Sequence, residues 1–315
     1  FQVPIKHHLA QNVIDFKREI EEESKGSIIV QVNDYGSFLK QKDNKKNPEK
    51  QKLYFKDNEI LAAVKDGVIE AGMLSLPRFS SSLPMIDIFY QPFLFDTKKK
   101  VATATAPDSI IRKTIDAAVK NTGSTVLWWQ PYGSVINVSD GKPVQNPDQM
   151  RDKKVRVFSK TLGNLVIASG GEPVLISNSK QYFSYKHGKV DIGMTTIADI
   201  KSKKIWEVMD TISITNHASI QFLVIVNSRW WNFLDNRKRE IISKASLNAE
   251  LRSNIRMKEL EIESYQEALK NGMNLVVLSD DDRDFWKEKS GPIYKKYLED
   301  SGEDGQLLFD IANVN

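Results

Sequence analysis

Leu9, Val13, Phe16 and Ile20 recur at spacings of four, three and four, while Lys17, Arg18 and Glu21 to Glu23 fill the other positions. That period predicts an amphipathic helix, which Gly26 stops. Ser27 to Asn33 is short and β-branched and predicts a strand; Asn33 to Gly36 predicts a turn. Lys40 to Lys56 is dense in Lys, Gln and Asn and reads as a solvated loop and helix surface. A helix, glycine, strand unit then recurs: Asn58 to Lys65, Gly67 and Val68 to Leu74, followed by Ser109 to Lys120, Gly123 and Thr125 to Trp129. It continues through a strand at Val155 to Phe158, a helix at Thr161 to Ser169, and a strand at Pro173 to Ile176. A helix at Ser179 to His187 closed by Gly188 and a strand at Val190 to Met194 complete the series. Such units predict parallel α/β layers, and too few of them for a barrel.

The second half changes character. Thr211 to Thr215 and Ile220 to Val226 form two strand-like runs joined through Asn216-His217, short enough to pass between lobes as a hinge. Asp235 is placed to cap a helix without a breaker from Asn236 to Asn271, stopped by Gly272. At 1.5 Å per residue such a helix spans about 54 Å, more than one small domain, so it must bridge something. Its apolar residues Ile241, Ile242, Ala245, Ile255, Leu260 and Ile262 do not keep a coiled-coil heptad. A strand at Asn274 to Leu278, a helix from Ser279 and a polar tail finish the chain.

The 315 residues fit two domains better than one. Usage is ordinary for a globular chain, 40% hydrophobic and 27% charged, and the formal charge of +4 does not call for a nucleic-acid or membrane partner. There is no cysteine, which removes disulfides, thiolate metal sites and thiol nucleophiles together. No apolar run approaches the length of a membrane span, and a leader, if there was one, is expected to have been removed before Phe1. Metalloprotease, nucleophile-elbow, P-loop and dinucleotide motifs are missing from the sequence. Adjacent His7 and His8 diverge on a helix and cannot chelate one metal; Asp280 to Asp282 suit a helix start better than a cation. No cofactor and no catalytic residue are expected.

In Lys154-Val155-Arg156-Val157-Phe158, alternation sends Arg156 to the face opposite Val155 and Val157. An arginine there can offer its planar fork to a ligand carboxylate, or pair with a protein acid. Aromatics cluster at Trp128-Trp129-Gln130-Pro131-Tyr132-Gly133 and at Ile88-Phe89-Tyr90-Gln91-Pro92-Phe93-Leu94-Phe95, where either core packing or a cleft lining is open to each.

The order of Val68-Ile69-Glu70-Ala71-Gly72, Leu83-Pro84, Pro92-Phe93-Leu94-Phe95, Lys154-Val155-Arg156-Val157 and Gly188-Lys189-Val190-Asp191, with the long helix after them, resembles the DctP-type solute-binding subunits of tripartite ATP-independent periplasmic (TRAP) transporters. The resemblance spans nearly the whole chain and rests on order and spacing together. It implies an α/β, two-lobed periplasmic-binding-protein-like (Venus flytrap) fold. The expected lobes are 1–130 plus 218–254 and 131–217 plus 255–315, with a bridging helix at about 236–271. It also implies a monomeric periplasmic protein that closes on a small organic acid and delivers it to integral membrane permease subunits, with Arg156 gripping the carboxylate.

Departures from the pattern shape the ligand expectation. Sialic-acid-binding members carry a second arginine where Val135 aligns, and a ligand-binding Asn where Thr195 stands. The family's first strand has only Phe1 to Ile5 to form it. One arginine with Trp129, Tyr132, Phe89 and Tyr90 suggests a single anionic group and a less polar remainder: a monocarboxylate such as a 2-oxo, 2-hydroxy or aromatic acid. Phe158, Thr195, Asn216 and His217 complete the expected ligand-binding set, His217 being also readable as a structural histidine. The alternatives are a lyase or isomerase acting on an acid, and a ligand-sensing module.

Overall fold

A computed structural model describes residues 8–33 and 59–314. The expected strand at Phe1 to Ile5, the expected loop and helix surface at Lys40 to Lys56, and most of the expected turn from Asn33 to Gly36 lie outside the described residues. In chain order the elements are α1 (His8–Glu23), α2 (Ile60–Lys65), β1 (Ala71–Ser75), α3 (Lys98–Thr105), α4 (Ile110–Asn121), β2 (Ser124–Ser134), β3 (Ile136–Ser139), β4 (Lys154–Val157), α5 (Lys160–Ala168) and β5 (Glu172–Leu175). They continue as α6 (Gln181–Lys186), β6 (Ile192–Thr195), α7 (Ile197–Lys203), β7 (Thr211–Ile214), β8 (Ser219–Asn227), α8 (Ser228–Phe233), α9 (Asn236–Lys270), β9 (Asn274–Val277) and α10 (Asp280–Val314).

The chain divides into two compact units, 1–79, 115–131 and 221–256 in one, 80–114, 132–220 and 257–315 in the other. The α/β class is as expected, each unit having its own sheet and α9 beginning in the first and ending in the second. Residues 80–114, expected with the first lobe, belong to the second unit. There the Tyr297 hydroxyl of α10 donates to the Met85 carbonyl at 2.9 Å and ties the 3-10 turn Pro84–Tyr90 down.

The first unit is built on the sheet order β1-β8-β2, with β1 antiparallel to β8 in the register Gly72↔Ile225 and Leu74↔Leu223. A Cβ at Gly72 would stand 2.9 Å from Ile60 and 3.1 Å from Val64, so glycine lets α2 lie flush on the strand. Asn227 caps two helices: its Nδ2 donates to the Val64 and Lys65 carbonyls at 2.8 and 3.0 Å, and its Oδ1 accepts from the Trp230 N–H at 2.9 Å. Helix α1 docks through Phe16 on Trp128, ring centroids 4.6 Å apart, and through Asn12, which donates to Gln130 and to the Ala249 carbonyl.

The expected strand at Ser27 to Asn33 is absent. The Val30 carbonyl accepts from Lys17 Nζ at 2.7 Å and its N–H donates to Glu21 at 2.9 Å, so side chains of α1 take the groups a neighbouring strand would have used. Val68 and Ile69, expected in β1, instead donate to the Ala63 carbonyl and finish α2.

The second unit holds a mixed sheet in the order β5-β4-β6-β3-β7-β9. Strand β4 is parallel to β5 and β6, β3 is antiparallel to β6 and β7, and β7 is parallel to β9. Helix α5 covers one face at Gly163, where a Cβ would be 3.6 Å from Pro173 and 3.8 Å from Val157. The other face carries a core of Val138, Ile176, Tyr185, Ile200 and Ile212. The tail expected to be polar is the end of α10, broken at Gly302 (φ 64°) and resumed because Leu308 and Ala312, four apart, bury one face.

Candidate functional site

Register fixes where Arg156 points. It is the parallel partner of both Val174 and Gly193, so it shares their face while Val155 and Val157 point to the opposite one. Arg156 is only 2% exposed. Its Nε donates to the Ile176 carbonyl at 3.1 Å and its Nη1 to the Met194 carbonyl, and its guanidinium carbon lies 5.0 Å from the centre of the Phe158 ring. Among the described residues no carboxylate lies within ion-pair distance of it. A guanidinium cannot neutralise itself by losing a proton, so its full charge stays in the interior, solvated by carbonyl dipoles and an aromatic face.

An acid whose charge reaches it is Asp199, in the first turn of α7, where Thr196 caps the helix. Asp199 is buried and already engaged: Tyr132 Oη donates to its Oδ1 at 2.9 Å, Asn178 Nδ2 lies at 3.3 Å, and Lys203 Nζ donates to it. Burial alone would raise its pKa, but the Lys203 charge and hydrogen bond, the Tyr132 hydroxyl and Arg156 together hold it below the usual carboxylate range. Burial, with Asp199 alongside, pushes the Tyr132 phenol well up, so its proton stays on and points to Asp199.

On the same face, Tyr185 passes over Gly193. A Cβ at residue 193 would fall 2.0 Å from the Tyr185 hydroxyl oxygen, so only glycine admits the phenol there. Gln181 Nε2 donates to that oxygen at 3.0 Å and to Thr195 Oγ1 at 2.6 Å, and the charge of Arg156, the strand partner of Gly193, bears on the same phenol. Burial pushes the Tyr185 pKa up to about 12, partly offset by Arg156, so the group is neutral at ordinary pH.

The expected residues thus separate. Arg156, Tyr132 and Thr195 belong to one buried cluster, half-buried Phe158 borders it, and Tyr90 meets Phe158 edge-on at 6.3 Å. Phe89 stacks on Phe95 at 4.7 Å in the interior of the second unit. Trp129 is in the first unit, its indole N–H donating to Asp116 at 2.8 Å and its main-chain N–H to Glu250 at 3.2 Å. Asn216 has a left-handed backbone (φ 46°) and leads into His217, which is buried. His217 Nδ1 pairs with Thr215 Oγ1 at 2.7 Å, and among the described residues Nε2 has no hydrogen-bond partner. Burial lowers the His217 pKa to about 3, so the ring is neutral. Val135, the position aligned with that second arginine, is buried and bonded through its main chain to Ala218 and His217.

Sequence reasoning missed Asp199, Lys203, Gln181 and Tyr185. The i, i+4 spacing of Gln181 and Tyr185, and of Asp199 and Lys203, was the one visible signal. Among the described residues no group of three His, Asp or Glu could hold a metal, and no helix is long and apolar enough to cross a membrane.

Known proteins resemble this chain over most of its length. The family model for "Bacterial extracellular solute-binding protein, family 7" (DctP) matches residues 48–300. The chain is 24% identical over 257 residues to the C4-dicarboxylate-binding periplasmic protein DctP of Vibrio cholerae, a match covering 79% of this chain and 75% of that protein. A TRAP periplasmic solute-binding protein of Chromohalobacter salexigens, solved with bound D-glucuronate, aligns with TM-score 0.86 at 19% identity, covering 99% of this chain and 98% of that one. A Bordetella pertussis extracytoplasmic solute receptor binding pyroglutamic acid aligns with TM-score 0.84 at 19% identity, covering 100% and 97%.

Proposed function

Because the chain belongs to the bacterial extracellular solute-binding proteins of family 7, we propose that it captures a small organic acid with one carboxylate at Arg156 and hands it to the membrane subunits of a TRAP transporter. The observation that carries the reading is the buried Arg156 charge with no carboxylate in contact among the described residues. Ile176 and Met194 hold two of its nitrogens, which fixes the plane of the fork and leaves outer N–H groups for an incoming carboxylate. Asp199 bears on how many anions the cluster accepts. With Lys203 it forms a compensated pair, so the net charge offered to a ligand is that of one arginine. A second carboxylate would meet Asp199 without a cation of its own.

The relatives support the acid and differ on its valence: a C4-dicarboxylate binder, a structure with a uronate and a receptor binding pyroglutamic acid. Capture by closure of one unit on the other, a periplasmic setting and a monomeric state belong to the same proposal. The test is a thermal-shift series over monocarboxylates, dicarboxylates and neutral analogues, repeated with Arg156→Ala. Stabilisation grows as RT ln(1 + [L]/Kd), so a monocarboxylate should raise Tm in a concentration-dependent way only with Arg156 present. A dicarboxylate that stabilises while no monocarboxylate does would refute the single-anion reading.

A further inference from the structure

Gln181 is 0% exposed and its amide is half used. The Nε2 group donates to both neighbours, Tyr185 Oη and Thr195 Oγ1, whereas Oε1 has no hydrogen-bond partner among the described residues. A buried acceptor left without a donor is costly, and interiors meet such groups with ordered water or with a ligand. The place of this one is informative. Gln181 donates to the phenol oxygen of Tyr185, that oxygen lies over Gly193, and Gly193 is the strand partner of Arg156, so the amide stands beside the position from which the guanidinium rises. A carboxylate held by Arg156 therefore brings the substituent on its adjacent carbon into the neighbourhood of Gln181.

From this geometry we infer that Gln181 is a ligand-contacting, specificity-determining residue, and that the acid held by Arg156 carries a hydrogen-bond donor, a hydroxyl, on the carbon next to its carboxylate. The inference rests on the carboxylate reading of Arg156 and narrows it. A hydroxyl donates to Oε1 and satisfies it. An oxo group would set acceptor against acceptor, and a bare methylene would leave Oε1 unpaired. Sites built to hydrogen-bond a substrate group reject the analogue that lacks it far more strongly than apolar pockets reject a methylene.

Calorimetry on the full chain with matched acids tests this: lactate, pyruvate and propionate, then phenyllactate, phenylpyruvate and phenylpropionate. Within the set that binds, the 2-hydroxy acid should be tighter than both partners by about tenfold or more. Gln181→Met, of similar length and without an acceptor of that strength, should bring the three within about threefold of one another while binding still depends on Arg156. A 2-oxo acid bound as tightly as its hydroxy partner by the unmodified protein would overturn the inference, and so would an unsubstituted acid bound equally well, the sign that water serves Oε1. These two comparisons need no variant, so a misfolded Gln181→Met does not blunt them. Failure of every acid in both sets, or binding indifferent to Arg156→Ala, would instead overturn the carboxylate reading beneath it.

Discussion

The Tyr185 hydroxyl sits in the space that any side chain at Gly193 would need. Gly193 is not in the left-handed backbone region, so the requirement is steric alone. Gly193→Ala must therefore displace the phenol from Arg156 and Gln181. Overpacking of this kind costs about 1–3 kcal/mol, to be read from the midpoint of urea unfolding. Adding Tyr185→Leu should restore most of the stability and none of the lost affinity. A double variant that recovered both would show that the phenol is filler.

Arg156→Lys tests fork against charge. Lysine keeps the positive charge but cannot hold the Ile176 and Met194 carbonyls and a carboxylate in one plane. Truncating one member of a buried charge pair costs about 3–5 kcal/mol, so Arg156→Ala should weaken ligand binding more than about a hundredfold. The lysine variant is expected to fall nearer to alanine than to the unmodified protein, by isothermal calorimetry.

His217 gives a pH prediction with a definite sign. Its folded pKa is lowered to about 3 by burial, against about 6.5 when unfolded. Between those values the unfolded chain binds the extra proton, so stability is full above pH 6.5 and declines as pH falls toward 3, by up to about 1.4 kcal/mol per unit. His217→Asn should flatten this part of the curve. An unchanged slope between pH 6 and 4.5 would mean that other groups dominate it; Asp199, held low, loses its contribution only below the normal carboxylate range.

Asn227 in the first unit serves as a control. Loss of a cap costs about 0.5–2 kcal/mol, and this residue ends α2 as well as starting α8, so Asn227→Ala should fall at the upper end of that range. Since it belongs to neither the Arg156 nor the Gln181 cluster, ligand affinity at temperatures well below Tm should stay unchanged.

Legibility from sequence followed the range of the forces involved. The helix from Asn236 was readable because caps are local: Asp235 Oδ1 does accept from the Lys238 N–H at 2.8 Å. Arg156 was readable because strand alternation fixes its face without knowledge of any neighbour. Gln181, Tyr185 and Gly193 were not, since their meaning is a mutual fit across α6 and β6, and glutamine on a polar helix looks like surface. The Ser27 to Asn33 segment misled for the complementary reason: its composition suits a strand, but a strand needs a partner, and Lys17 and Glu21 reached Val30 first.

Each unit is stitched from three separated stretches of chain, with a consequence during synthesis. Strand β1 is finished at Ser75 but pairs with Phe222 to Val226, so it emerges from the ribosome long before its neighbour exists. The first unit cannot close its sheet cotranslationally until β8 has been made. Truncation anywhere before residue 222 leaves β1 without its antiparallel partner, and nascent chains arrested short of that point should remain open to protease.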